Sequence, residues 1–148
     1  LFMHDDNSQA KEINKAGFAT TSSKTFEFRL RIKAYASGGA IKFLLKSGST
    51  IVFQFAVFTN GSLHYHNGAW QNLGAATPNT VPLDIWKAMK VVANASGNTA
   101  AVYVDGVLIG NATKATAGAP TTMNGFSFAS GGSSPIGDKA LFDDVILY

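Results

Sequence analysis

The sequence predicts an all-β fold, a two-sheet antiparallel β-sandwich of the jelly-roll kind. Apolar and polar residues alternate along much of the 148-residue chain, as strands with unlike faces require. Turn pairs such as Asn60-Gly61, Asn67-Gly68 and Asp105-Gly106 recur about every ten residues. No 3.6-residue stripe of useful length occurs, and Leu83 to Ala88 offers at most one helical turn. Roughly ten to twelve short strands joined by Gly and Asn turns point to a sandwich. The absence of a repeat period disfavours a propeller or solenoid.

Leu1 to His4 reads as a short edge strand, broken by Asp5-Asp6-Asn7-Ser8, and Lys11 to Lys15 as a polar loop. From Thr25 to Lys33, Phe26, Phe28, Leu30 and Ile32 share one parity, with Glu27, Arg29, Arg31 and Lys33 opposite, the pattern of a half-buried strand. Gly38-Gly39 turns the chain, Ile41, Phe43 and Leu45 repeat the pattern, and Ser47-Gly48-Ser49 turns it again. In Thr50 to Phe58, Ile51, Phe53, Phe55 and Val57 form the core side, while Val52, Gln54, Ala56 and Phe58 point the other way.

Ser62 to His66 is a short strand closed by Asn67-Gly68, and Trp70 to Leu73 another. Gly74 to Leu83, with Pro78 and Pro82, is a loop. A meander follows: Met89, Val91 and Ala93 on one face, a turn at Ser96-Gly97-Asn98, Val102 and Val104 in the next strand, and Asp105-Gly106 before Val107-Leu108-Ile109. That last pair tolerates the positive φ a two-residue hairpin demands. Thr113 to Met123 is loop-like, Phe126 and Phe128 mark a strand, and Ala140 to Tyr148 closes the chain.

A chain of this length suits one domain spanning residues 1–148 and buries a core without staples. Without cysteine it has neither disulfides nor thiolate metal sites, which leaves the compartment open. No apolar run approaches the roughly 18 residues of a membrane span, and LFMHDDNSQ lacks the features of a signal peptide. The sequence also begins at Leu1 without an initiator methionine, so it reads as an excised module of a larger protein or a processed product, with no membrane partner. Its net charge of +3, from 12 basic and 9 acidic residues, is too mild to imply nucleic acid.

Two stretches carry a family resemblance. Trp86, a valine-rich strand, Ser96-Gly97-Asn98 and then Val102-Tyr103-Val104-Asp105-Gly106 resemble the hairpin of laminin-G-like and pentraxin-like domains. Phe142-Asp143-Asp144-Val145-Ile146-Leu147-Tyr148 resembles their closing strand. On these motifs the chain is similar to the concanavalin A-like lectin/glucanase superfamily. The resemblance implies a jelly roll, and it places Trp86 in the core. Because the superfamily includes lectins, carbohydrate-binding modules, hydrolases and lyases, function has to be argued from a site.

A retaining glycosidase needs paired carboxylates across the scissile bond, and the two glutamates, Glu12 and Glu27, form no such strand pattern. A polysaccharide lyase acting on a uronate polymer needs a group to neutralise the carboxylate, a base and an acid. Arg29 or Arg31, Gln54, His64 or His66, and Tyr103 are of the right types, but the chain has no R.E.R strand, Q-I/V-H triplet or Y.K.G.Y strand like those of jelly-roll alginate lyases.

A carbohydrate-binding module needs aromatic faces for sugar rings and planar polar groups for hydroxyls, with cations for an acidic sugar. Trp70, Tyr65, His64, His66, Gln54 and Tyr103 supply the first two, and Arg29, Arg31 and Lys42 the third. Trp70 leads this set because it stands in a polar, glycine-flanked segment. The ordinary alternative is that all are outward sheet residues. His64 and His66 at spacing two would share a metal only with a third ligand.

Asp5 and Asp6 near one terminus, with Asp138 and Asp143 near the other, could supply the oxygens of a structural calcium, which superfamily members frequently carry. The alternative is that Asp143 or Asp144 accepts backbone N–H bonds. The expectation is thus a non-catalytic module that binds polysaccharide or oligosaccharide, with acidic glycans weakly preferred, linked to a catalytic domain of a secreted bacterial polysaccharide-degrading protein. A uronate lyase and a laminin-G-like adhesion or protein-interaction domain are the alternatives.

Overall fold

A computed structural model describes residues 2–4, 12–35, 38–74, 77–131 and 138–148. In chain order the strands are β1 (Phe2–His4), β2 (Glu12–Thr21), β3 (Ser23–Ala34), β4 (Ala40–Ser47), β5 (Thr50–Phe58), β6 (Leu63–His66), β7 (Trp70–Asn72), β8 (Lys87–Asn94), β9 (Thr99–Val104), β10 (Val107–Ala112), β11 (Met123–Gly131) and β12 (Lys139–Leu147). The described residues contain no helix. They form two six-stranded sheets, ordered β1-β12-β3-β8-β9-β10 and β2-β11-β4-β5-β6-β7, and every strand pairing is antiparallel.

Period-2 patterning gives each sheet one apolar face, and the two apolar faces pack together. Phe26, Phe28, Leu30 and Ile32 of β3 are all buried. Phe28 meets Phe43 and Phe128 of the second sheet with ring centroids 5.4 and 5.1 Å apart, and Phe128 stacks on Phe142 of the first sheet at 3.8 Å. Each such aromatic pair adds about 0.5–1.5 kcal/mol beyond the area it buries, so this cluster does much to join the sheets.

The two-residue hairpin is present. Asp105 and Gly106 have φ of 50° and 82°, and Val107 pairs with Val104. Gly38-Gly39, by contrast, does not fold β4 back onto β3. The chain crosses to the other sheet, where β4 pairs with β5 and β11. The polar stretch at Glu12 belongs to a ten-residue strand rather than a loop. It lies at a sheet edge, where backbone pairing to β11 on one side suffices and apolar side chains are not required.

Trp86, which the family resemblance places in the core, is instead partly exposed and absent from the buried core. Its indole carries the Arg29 guanidinium 5.4 Å from the ring centroid, since Arg29 has outward parity on β3 and a planar cation packs well on an aromatic face.

Loops are tied to the sheets by their backbones. In the loop after β7, Asn79 and Val81 donate to the carbonyls of Asn60 and Gly61 at 2.8 and 2.9 Å, and Asp84 donates to Ile32 at 2.7 Å. The loop before β11 is held where Ala115 N–H donates to Val52 at 2.9 Å and the buried Lys114 ammonium reaches the Ala119 carbonyl at 3.1 Å. Buried polar groups without such partners would cost about 1–3 kcal/mol each.

Candidate functional site

Because Ile41, Phe43 and Leu45 face inward, Lys42 points away from the core, and so do Gln54 and Phe58 between and after the buried Phe53, Phe55 and Val57. Register then aligns a row across the sheet: Lys42 opposite Ala56, Ala56 opposite His64, and His64 opposite Asn72. His66 lies opposite Trp70. The outer face of the second sheet therefore gathers Lys42, Gln54, Phe58, His64, His66 and Trp70. Ala56, at the middle of the row, is fully buried; its small side chain lets the larger flanking groups close over it.

Trp70 is the hub. Phe58 and His66 meet its ring nearly at right angles, with centroids 5.4 and 5.2 Å away, and the Lys42 ammonium lies 6.0 Å from the ring centroid. Phe58 also packs against His64 at 4.3 Å. Phe58 is a member that sequence reasoning did not nominate. Its parity with Gln54 was the signal, because an aromatic residue on the face opposite the core has to find other neighbours.

Polar bonds fix the two histidines. His64 Nε2 is 2.8 Å from the Ser62 hydroxyl, whose own backbone N–H donates to Asn60 Oδ1 at 3.0 Å. Burial lowers the His64 pKa against the opposing effect of the Gln71 backbone, which favours the neutral ring. Gly68 N–H donates to His66 Nδ1 at 3.4 Å.

Lys42 is half-buried. Burial lowers its pKa, and the negative charge of Asp138 acts in the opposite sense. Its side chain runs over Gly131, where an added Cβ would collide with the ammonium. Lys46, further along β4, bonds Glu12 at 2.7 Å.

The expected sugar-contacting residues do not form one site. Arg29 and Arg31 project from β3, and Tyr103 from β9, on the outer face of the first sheet, on the opposite side of the molecule from Trp70. Parity separates inside from outside but does not say which of two sheets a strand joins. Arg31 is further engaged with Asp84 at 2.7 Å, and Lys33 also bonds that carboxylate. The candidate lyase groups are divided in the same way, with Gln54 and the histidines on one face and the arginines and Tyr103 on the other.

Of the acidic residues expected at a structural calcium, Asp138 and Asp143 are described. Asp138 is fully buried, near Lys42 and Tyr35, whose pKa is raised by burial and by the Asp138 charge. Asp143 is exposed on β12, where it accepts the Asp144 N–H at 3.0 Å. On an extended strand the two stand about 16 Å apart, too far to share an ion whose ligands lie about 2.3–2.6 Å from it. Asp5 and Asp6 lie outside the described residues. Among the described residues no group of three or more His, Asp or Glu could hold a metal.

A family model described as the concanavalin A-like lectin/glucanases superfamily matches residues 5–148. Solved structures of similar fold include a sialidase, with 12% identity and a TM-score of 0.77 over 97% of this chain, which spans 15% of the sialidase. A carbohydrate-binding module, CBM66 from Bacillus subtilis, has 18% identity and a TM-score of 0.62, covering 99% of this chain and 84% of the module. An alginate lyase from Corynebacterium sp. has 18% identity and a TM-score of 0.65, covering 88% of this chain and 61% of the lyase. At these identities the likenesses show the fold. No curated protein matches the sequence.

Proposed function

The chain belongs to the concanavalin A-like lectin/glucanase superfamily, and from that premise we propose that it is a non-catalytic carbohydrate-binding module holding its glycan against Trp70. The observation that carries this is the convergence of Phe58, His66 and Lys42 on one partly exposed indole. An indole offers an apolar face to a sugar ring, while Gln54, His66 and Asn72 beside it can meet hydroxyl groups.

The similarity to a carbohydrate-binding module over most of its length supports the reading. The 15% share of the sialidase is what a module within a longer protein would give. Secretion and linkage to a polysaccharide-degrading catalytic domain belong to the same proposal. The preference for an acidic glycan rests, among the described side chains, on Lys42 beside Trp70, because Arg29 and Arg31 stand on the other sheet. A stabilising calcium would have to draw on Asp5 and Asp6 with at most one of Asp138 and Asp143; a fall in the unfolding midpoint on adding EDTA is its test.

Affinity electrophoresis through gels containing neutral and uronate polysaccharides tests the function. Retardation by at least one polymer, lost in Trp70→Ala at unchanged unfolding midpoint, is the expected result. No retardation by any polymer refutes the module, and ultraviolet-absorbing unsaturated products from a uronate polymer would make the protein a lyase instead.

A further inference from the structure

On the other side of the molecule, where β3, β8 and β12 adjoin, a cavity of about 340 Å³ opens on the outer face of the first sheet. Its lining includes Glu27, Arg29, Lys90, Asp144, Ile146 and the Gly106 turn. That volume is at the low end of the roughly 300–1,000 Å³ usual for small-ligand sites, which suits a short piece of a chain-like ligand better than a protein surface.

The charges around it divide into engaged and available groups. Glu27 is held by Lys90 at 3.1 Å and by the Tyr148 hydroxyl at 3.1 Å. Asp143, opposite Arg29 in register, accepts the N–H of Asp144. Arg29 lies over Trp86 and, among the described residues, forms no ion pair; the Asp144 carboxylate likewise has no cationic partner among them.

Asp144 sits where the β12 register shifts between Asp143 and Ile146, with φ of 48°. That conformation is strained for a residue with a Cβ, and such strain concentrates at functional positions. Ile146 beside it is 45% exposed. A donor-only guanidinium, an acceptor-only carboxylate and an aliphatic wall thus line one cavity.

We propose that this cavity is a second sugar-binding site, on the opposite side of the molecule from Trp70, which takes a short neutral segment of a glycan. Arg29 donates to ring and hydroxyl oxygens, Asp144 accepts hydroxyl protons, and Ile146 packs on the apolar edge of the ring. Asp143 and Asp144 offset the Arg29 charge, so a neutral polyol, which both donates and accepts, matches the lining better than a uronate or a cation. A module with a site on each sheet would bridge two glycan chains or two segments of one. The choice of a sugar as the ligand rests on the carbohydrate-binding reading of the chain.

The chain has two tryptophans, one beside each site, so each site can be read separately by emission. In Trp70→Phe only Trp86 reports, and in Trp86→Phe only Trp70. Each is titrated with cellopentaose, mannopentaose and arabinopentaose. The expected result is a saturable change in Trp86 emission with at least one sugar. Arg29→Gln or Asp144→Asn, each added to Trp70→Phe, should weaken it at least tenfold at unchanged unfolding midpoint. If Trp70 responds and Trp86 does not, the second site is wrong and the proposed function survives. If Trp86 alone responds, the second site stands, and the Trp70 reading is decided by the neutral and uronate gels; silence at Trp86 with all three sugars overturns the second site. A Trp86 response indifferent to Arg29→Gln and Asp144→Asn also overturns the proposal.

Discussion

Phe58 meets Trp70 with ring centroids 5.4 Å apart and planes at 82°, although β6 lies between their strands. The contact braces an indole on a short edge strand that would otherwise have its pairing to β6 as its main support.

Phe58→Ala should therefore weaken glycan binding by loosening the indole without removing it. Aromatic pairs of this kind contribute about 0.5–1.5 kcal/mol, so the expected loss is roughly two- to tenfold, smaller than for Trp70→Ala. Affinity electrophoresis of both variants measures it. Equal losses would mean that Phe58 contacts the sugar itself.

The fold was legible in the sequence because its signals are local. Phe26, Phe28, Leu30 and Ile32 announce an inward face by spacing alone, and Asp105-Gly106 announces its turn by the φ values it tolerates. Sheet membership is not local. The segment after Ala34 crosses to the other sheet instead of closing a hairpin, and that crossing sent Arg29 and Lys42 to opposite sides of the molecule. Trp86 misled for a related reason: its motif position marks the fold, whereas its exposure depends on Arg29 packing over it.

Two glycines with positive φ should respond unequally to alanine. Gly74 has φ of 55°, and a Cβ there would run into the Ile109 carbonyl and approach the Gly110 Cα at 2.9 Å. Backbone strain and overpacking then add, and Gly74→Ala should cost about 3 kcal/mol or more. Gly106 has φ of 82° but open space around it, so Gly106→Ala should cost only about 1–2 kcal/mol. Urea unfolding of the two variants compares them, and equal costs would contradict the close approach of Gly74 to β10.

Acidification should destabilise the protein through His64. Its folded pKa is lowered, first by burial, so as pH falls below about 6.5 the unfolded chain takes up a proton that the folded chain resists. The contribution is intact above that pH and is lost progressively down to the folded pKa. His64→Gln should flatten the slope of the urea midpoint between pH 7.5 and 5 relative to the parent, about the interval in which an unperturbed histidine titrates. An unchanged slope would place His64 in solvent.

Lys42 owes its position to the missing side chain of Gly131. The collision that a Cβ would make there is with the mobile end of a lysine, and Gly131 has no positive φ to protect. Gly131→Ala should therefore fold with a cost of about 1 kcal/mol or less while pushing the ammonium off its place near Trp70. For glycan binding this equals removing the charge, so Gly131→Ala and Lys42→Met should change affinity in the same direction and by a similar factor. Because both act on one group, the double variant should match either single variant rather than their sum. Retardation in the same polysaccharide gels reads all three. Additive effects would show that Gly131 acts on the ligand directly, and an effect of Lys42→Met without one of Gly131→Ala would show that the ammonium reaches the sugar from elsewhere.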